Sequence, residues 1–276
     1  MGKILKERKY FLVDNGSLKP EATINLRIIG NLLQKEASCE VRPMGLMHSH
    51  KIDSSLLGGQ GGESMEAFFH SDEAARTSEI FVLPFFFGPS RAVTEWLPEN
   101  LRRWEKLEKN RRFRILDCLY DAGDDRIARA LAENSSIVIE KNKMTNPSVA
   151  LVDHGTPVET VNKMREEIGS QLKSILGDNI DQFSTCCMEK REGKKYDFND
   201  PLLQKLLDDW SRMQVTEVVV AQLFLSPGRH AGKGGDLEQI CKDYAGCLKR
   251  TELLGTHPLI IEILSDRIRF DKERNK

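Results

Sequence analysis

The chain writes the same sentence twice. "LVDNGS" at 12–17 returns as "LVDHGT" at 151–156, and Ile29-Gly30 returns as Ile168-Gly169, both at an offset of 139; "EIFVLPFFFGPSRAV" at 79–93 returns as "EVVVAQLFLSPGRHA" at 217–231, at an offset of 138. Further on, "ILDCL" at 115–119 resembles "IIEIL" at 260–264. Landmarks in one order at a nearly constant spacing point to a duplicated unit, so the chain must fold as two similar bodies. Its 276 residues allow this, because a domain of about 130 residues buries roughly two thirds of its unfolded surface.

Within each copy an apolar run of five to eight residues ends at a Gly or Pro turn. A segment with helical periodicity follows, such as "ATINLRIIGNLLQKE" or "ETVNKMREEIGSQLKSIL". Continuous Val, Ile, Leu and Phe without polar alternation is the pattern of parallel strands covered by helices on both faces, which predicts an α/β fold. The boundary is expected near 144/145, with "EKNKMTNPS" at 140–148 as a linker too poor in helix formers to continue a helix. "SSLLGGQGGESME" at 54–66 reads as a mobile loop, either a lid or an insertion. "RRWEKLEKNRRFR" at 102–114 reads as a solvated helix face, since acids interrupt its bases.

Composition excludes several classes. A net charge of -1, with 30% charged residues, leaves no footprint for nucleic acid or an anionic membrane, so any anion specificity must be local. Six scattered cysteines without a Cys-x-x-Cys pair fit free thiols in a reducing, cytoplasmic setting. The opening "MGKILKERKYFLV" lacks the apolar stretch of a signal peptide, and "IFVLPFFFGP" is far too short to span a membrane.

Ligands of open α/β sheets bind beyond the carboxyl ends of the strands. His154 follows the strand "VALVD" directly, His230 follows "VVVAQLFL" through the turn "SPGR", and Glu189 in "TCCMEKREG" sits where the second strand of that half should end. Two imidazoles and a carboxylate at one edge suit either a divalent metal or proton transfer. Taken singly, a histidine after a strand is more often a hydrogen-bonded loop residue than a catalyst, and a glutamate at a strand end more often a solvated charge or a helix-capping group. The repeat favours a site, since Asn15 stands opposite His154, Ala92 opposite His230 and His48 opposite Glu189, as if a duplicated site survived in one copy.

Other motifs are weaker. "RHAG" at 229–232 is like the Arg-His-Gly element of histidine phosphatases but follows the third strand of its half instead of the first. "GRHAGKGG" at 228–235 is one residue short of a phosphate loop and has Gly234 where Ser or Thr should hold magnesium. There is no G-x-S-x-G elbow, and no G-x-G-x-x-G after the first strand. Metal or proton chemistry is the stronger branch.

Three segments, "LVDHGT" with His154, "CCMEKREGKKYDFNDPLL" at 186–203 and "LFLSPGRHAGKGGDL" at 223–237, resemble the sirohydrochlorin cobaltochelatases and ferrochelatases, the CbiX-type class II chelatases. "LVDNGSLKPEA" and "LPFFFGPSR" form a fainter copy in the first half. The resemblance implies two flavodoxin-like, chelatase-like domains related by a pseudo-twofold, 1–144 with a degenerate site and 145–276 with the active histidines, closing on a tetrapyrrole cleft. It implies insertion of cobalt or iron into a tetrapyrrole such as sirohydrochlorin in cobalamin or siroheme biosynthesis, without nucleotide or reducing cofactor.

By carry-over His154 and His230 handle the metal and accept the pyrrole protons, with Glu189 as their acidic partner. Arg229, Arg191 and Lys190 would clamp the carboxylate rim, and His48 would serve the opposite wall. No nucleic acid or membrane partner is implied, and a monomer suffices to build the cleft. The alternative is a tetrapyrrole or metal carrier on the same fold; a phosphatase using His230 is a further rival. There is no His-rich tail and no cysteine motif for an iron-sulfur cluster.

Overall fold

The computed structural model describes residues 9–273, so most of the opening segment weighed above as a leader lies outside the described residues. Among the described residues eight strands form two separate parallel sheets: β1 (Lys9–Asp14), β2 (Glu40–Gly45), β3 (Glu79–Pro84) and β4 (Arg112–Ile115) in the order β2-β1-β3-β4; β5 (Ser148–Asp153), β6 (Phe183–Cys187), β7 (Glu217–Gln222) and β8 (Cys247–Arg250) in the order β6-β5-β7-β8. Among the described residues the α-helices of six residues or more are α1 (Pro20–Ala37), α2 (Leu97–Lys106), α3 (Arg126–Asn142), α4 (Glu159–Leu176), α5 (Leu203–Arg212), α6 (Asp236–Cys241) and α7 (Pro258–Glu273). Both sheets are covered by helices on both faces, as the apolar runs predict.

Burial follows position in the sheet. Central β5 is buried at every residue except Asp153, whereas edge strand β8 alternates exposed and half-buried residues. In α1, Pro20 at the first turn presets the helical backbone. Leu26, Ile29 and Leu33 then recur at helical spacing and are buried, each such side chain stabilising by about 1.5–3 kcal/mol. Phe85, Phe86 and Leu223 are core residues, and Phe87 and Leu225 are half-buried.

The compact units are not the sequential halves 1–144 and 145–276. One takes the chain up to Leu119 and again from Ile261; the other is Tyr120–Ile260. Helix α3 packs its apolar face, including Ile127, Ala128 and Leu131, in the second unit against α4 and β7. Most of α7 returns to the first unit, where Asp271 accepts hydrogen bonds from Tyr10 Oη (2.8 Å) and Arg114 Nη1 (2.7 Å), and Arg267 donates to the carbonyls of Cys118 and Leu119. Helical periodicity marks an apolar face without saying which sheet it covers. The "IIEIL" segment therefore belongs to α7 and is no counterpart of "ILDCL", since the strand answering β4 is β8.

Three smaller readings also change. The linker is shorter than 140–148, because α3 runs to Asn142. Residues 102–114 are not one solvated face: they end α2, turn, and begin β4, and Arg111 is buried, donating to the carbonyls of Trp104 and Ala75. The glycine-rich stretch is tied down, with Arg27 of α1 donating to the carbonyls of Leu57, Gln60 and Gly61.

Candidate active site

The site grows out of the end of β5. Asp153 Oδ1 accepts the Gly155 N–H (3.0 Å), an Asx turn that reverses the chain just past the strand. Gly155 has φ +94, and a Cβ there would lie 1.9 Å from the Glu189 carbonyl oxygen, so only glycine lets the chain leaving β6 come this close. Backbone bonds from Met188 N to Asp153 O (2.9 Å) and from Glu189 N to His154 O (3.2 Å) lock the two strand ends together. His154 and Glu189 are thereby side by side, with Nε2 and Oε1 3.1 Å apart.

A buried polar layer holds this turn. The Arg165 guanidinium, on α4, has no solvent exposure. It donates to Asp153 Oδ1 (3.3 Å), to the Asn199 carbonyl (3.3 Å) and to Glu166 Oε1 (2.9 and 2.7 Å), while Glu166 Oε2 accepts from Thr185 (2.7 Å). Asn199, also buried, clasps both the N–H and the C=O of Thr156 (3.0 and 2.9 Å). Burial pushes the Asp153 carboxyl up, with Arg165 and the Gly155 N–H pulling it back. Burial likewise pushes the Cys187 thiol up to about 11, which leaves it a poor nucleophile.

His230 arrives from β7. Its loop closes on the start of α6 through Asp236 N to Arg229 O (3.2 Å) and Leu237 N to His230 O (3.0 Å), and Asp236 Oδ2 takes His230 Nδ1 at 2.8 Å. The His154 and His230 ring centroids are 4.3 Å apart, tilted by 60°. Both rings remain partly open to solvent, 42% and 32%.

The two imidazoles are in different states of engagement. An acid on Nδ1 fixes the His230 tautomer and leaves the Nε2 lone pair as its reactive position. His154 has an acceptor at each nitrogen, the Gly155 carbonyl at Nδ1 (3.2 Å) and Glu189 at Nε2, so a second proton on this ring finds a partner in place. The pair can hold a cation or take up a proton. Among the described residues no group of three or more His, Cys, Asp or Glu side chains forms a ready-made metal cage; the structure brings His154, His230 and Glu189 together without closing them into one.

The other predicted residues are dispersed. Lys190 is bound by Asp197 (2.8 Å) and Asp200 (2.5 Å), whose hydrogen bonds raise its pKa, so it ties its own loop. Arg191 hydrogen-bonds Tyr196 and with Lys195 lowers that phenol. Arg229 is well exposed, 3.5 Å from Asp236. His48 belongs to the first unit, on a turn with φ +69, and does not correspond to Glu189. A Cβ on Gly16 would meet the Met47 carbonyl as one on Gly155 meets that of Glu189, so Met47 is the counterpart of Glu189 and His48 that of Lys190.

Asp236, Arg165 and Asn199 escape the motif reading. Asp236 carried a signal, an acid six residues after a histidine in a glycine-rich turn. Arg165 carried one too, lying on the apolar stripe of α4 with Ile168 and Leu172. Asn199 carried none.

Residues 148–270 match the model of the CbiX family. No curated protein matches the chain. Among solved structures it is similar to SirB from Bacillus subtilis with Fe3+ (TM-score 0.69, 13% identity, 95% of this chain and 94% of that one). It is similar also to the sirohydrochlorin chelatase SirB from Bacillus subtilis subspecies spizizenii in complex with cobalt (0.69, 14%, 97% and 96%). A third is CbiX, described as the terminal enzyme for biosynthesis of siroheme in denitrifying bacteria (0.66, 14%, 95% and 99%). At such identities the likeness establishes the shared fold, over nearly the full length of both chains. The family match lies on the segment that carries both histidines.

Proposed function

We propose that this chain is a metal chelatase that inserts a divalent ion, cobalt or iron, into a tetrapyrrole, with sirohydrochlorin as the substrate, in cobalamin or siroheme formation. The observation that carries this reading is the paired imidazoles of His154 and His230, each backed by its own carboxylate. Insertion exchanges one divalent cation for two pyrrole protons, so the site must release a metal and collect protons near neutral pH. Neutral imidazole does both.

His230, its Nδ1 held by Asp236, presents Nε2 to the incoming metal or to a pyrrole proton. His154 takes a proton with Glu189 and the Gly155 carbonyl ready to stabilise it, and Glu189, 67% exposed, passes it to solvent. The metal is substrate, and no nucleotide or reducing cofactor enters this scheme. Free thiols at all six cysteines agree with a reducing cytoplasmic setting, and no helix among the described residues is long and apolar enough to cross a membrane.

The test is the absorbance change on metal insertion, run across several metals with sirohydrochlorin and with protoporphyrin. His154→Ala and His230→Ala should each slow insertion by about a hundredfold or more, the range for a positioned acid or base. Wild-type rates in both variants overturn the reading. Stoichiometric metal or tetrapyrrole retention without turnover would make the protein a carrier instead.

A further inference from the structure

Gly155 is the soft point of the turn that carries His154. Its φ of +94 favours glycine, and without a Cβ its ψ is unhindered, so the peptide joining Gly155 to Thr156 is free to rotate unless something outside it intervenes. The carbonyl of that peptide is the one that meets His154 Nδ1 at 3.2 Å. If the plane turned, the ring would lose the partner that holds it opposite Glu189.

The hold comes from beyond the turn. A trans peptide is planar, with its C=O and N–H pointing in opposite directions, so whatever fixes the Thr156 N–H also fixes the Gly155 carbonyl. Asn199 Oδ1 accepts that N–H at 3.0 Å. The Asn199 side chain cannot swing away: it is fully buried, and its Nδ2 donates to the carbonyls of Thr156 (2.9 Å) and Tyr196 (3.0 Å). Its backbone carbonyl in turn accepts from Arg165 Nη1 (3.3 Å).

Asn199 and Glu189 belong to one excursion of the chain, which leaves β6 and returns where Cys187 N meets Pro201 O (3.1 Å). Lys190 braces it through Asp197 and Asp200. The loop thus grips the turn at two points, at His154 O through Glu189 N (3.2 Å) and at Thr156 through Asn199. In the first unit Ser17 stands where Thr156 does, and its N–H meets Ser49 Oγ at 3.4 Å. A neutral bond of that length holds a peptide far less firmly. The firm grip accompanies the histidine.

We propose that Asn199 is a positioning residue for metal insertion: by locking the 155–156 peptide it fixes the ring of His154 beside Glu189. The kinetic consequence rests on the chelatase reading; the effect on the ring rests on geometry alone.

The experiment compares the full chain with Asn199→Ala and Asn199→Asp. Insertion at saturating cobalt and sirohydrochlorin should fall by about 10- to 100-fold in Asn199→Ala, the range for residues that orient a metal-handling group. KM for both substrates should stay within about twofold, since the lost hold acts on the ring and not on either substrate. Asn199→Asp keeps an oxygen for the Thr156 N–H but loses both Nδ2 donations and buries a charge. It should lose at least as much stability as Asn199→Ala and yet slow insertion by only about threefold, whereas a merely structural residue would rank the two variants by stability. In NMR spectra the His154 ring signals should shift and broaden in Asn199→Ala while those of His230 stay in place. In the wild type the Thr156 amide should exchange with solvent about tenfold or more slowly than the Ser17 amide, a measurement that needs no variant. A wild-type kcat or unmoved His154 signals in Asn199→Ala, or equal exchange at the two amides, overturns the positioning role and leaves the chelatase reading standing. A wild type that inserts no metal yet shows the ring and exchange effects overturns the chelatase reading and keeps Asn199 as the hold on His154.

Discussion

The ends of β1 and β5 begin alike and diverge within a few ångströms. Each strand finishes in Val-Asp, and each aspartate accepts the N–H of a glycine two residues on (2.8 Å for Asp14, 3.0 Å for Asp153). Each glycine has a left-handed φ and sits against the carbonyl of the residue leaving the next strand. Beneath Asp153 the helix supplies the buried Arg165; at the same register of α1, beneath Asp14, it supplies the buried Leu26. Asp14, without that cation, is pushed by desolvation up to about 6. The scaffold of the turn has thus survived in both copies, while the charge system that stiffens it, and the histidine above it, exist only in the second.

The largest expected effect comes from giving the second unit the first unit's solution. Arg165→Leu leaves Asp153 and Glu166 without their buried cation, and breaking such a pair costs about 3–5 kcal/mol. Denaturant unfolding should show that loss. Hydrogen exchange at the β5 amides should confine it to the second unit, a necessary control because a chain of two units need not unfold in one step. Arg165→Leu/Asp153→Asn should recover part of the stability by removing the orphaned charge. A single variant as stable as wild type would mean that Arg165 does not hold the turn.

The next effect is smaller and of opposite sign. The folded pKa of Asp14, about 6, lies above its ordinary value of 3.8, so the fold prefers the neutral acid. The penalty is absent below the unfolded pKa, grows as pH rises between about 4 and 6, and is complete above that, with a size on the order of 3 kcal/mol. Asp14→Asn, which keeps an acceptor for the Gly16 N–H, should therefore stabilise the first unit at pH 7 and flatten its stability between pH 4 and 6. Protection of the β1 amides across that range is the measurement. A variant that is less stable at pH 7 would contradict the assignment.

Much of this contrast is legible in the sequence. The offset of 139 that aligns His154 with Asn15 also aligns Arg165 with Leu26, and so sets an arginine on a stripe that is apolar in the other copy. The strand-end rule located His154, His230 and Glu189 because their placement depends on strand ends and tight turns, which local sequence encodes. What depended on the longer path was misplaced. The chain between α4 and β6 is longer than that between α1 and β2, so the register slips and Met47, not His48, faces the place of Glu189. The exchange of α3 and α7 between units was not legible, because an amphipathic stripe carries no address.

The smallest effect expected is none, and it tests the comparison most sharply. Asn15→His puts an imidazole on a turn whose backbone matches that of His154, with Met47 N bonded to Asn15 O as Glu189 N is to His154 O. It supplies neither the carboxylate, since Met47 stands where Glu189 would, nor a second imidazole held by an acid, since the sequence repeat sets Ala92 opposite His230. If function resides in the paired, acid-backed histidines and not in a histidine at a strand end, Asn15→His should leave cobalt stoichiometry at one per chain and the insertion rate within about twofold of wild type. The mirror change, His154→Asn, should cost about a hundredfold or more, as for removal of a positioned acid or base. A second cobalt bound by Asn15→His would show that the first unit has kept more of a metal site than its side chains declare.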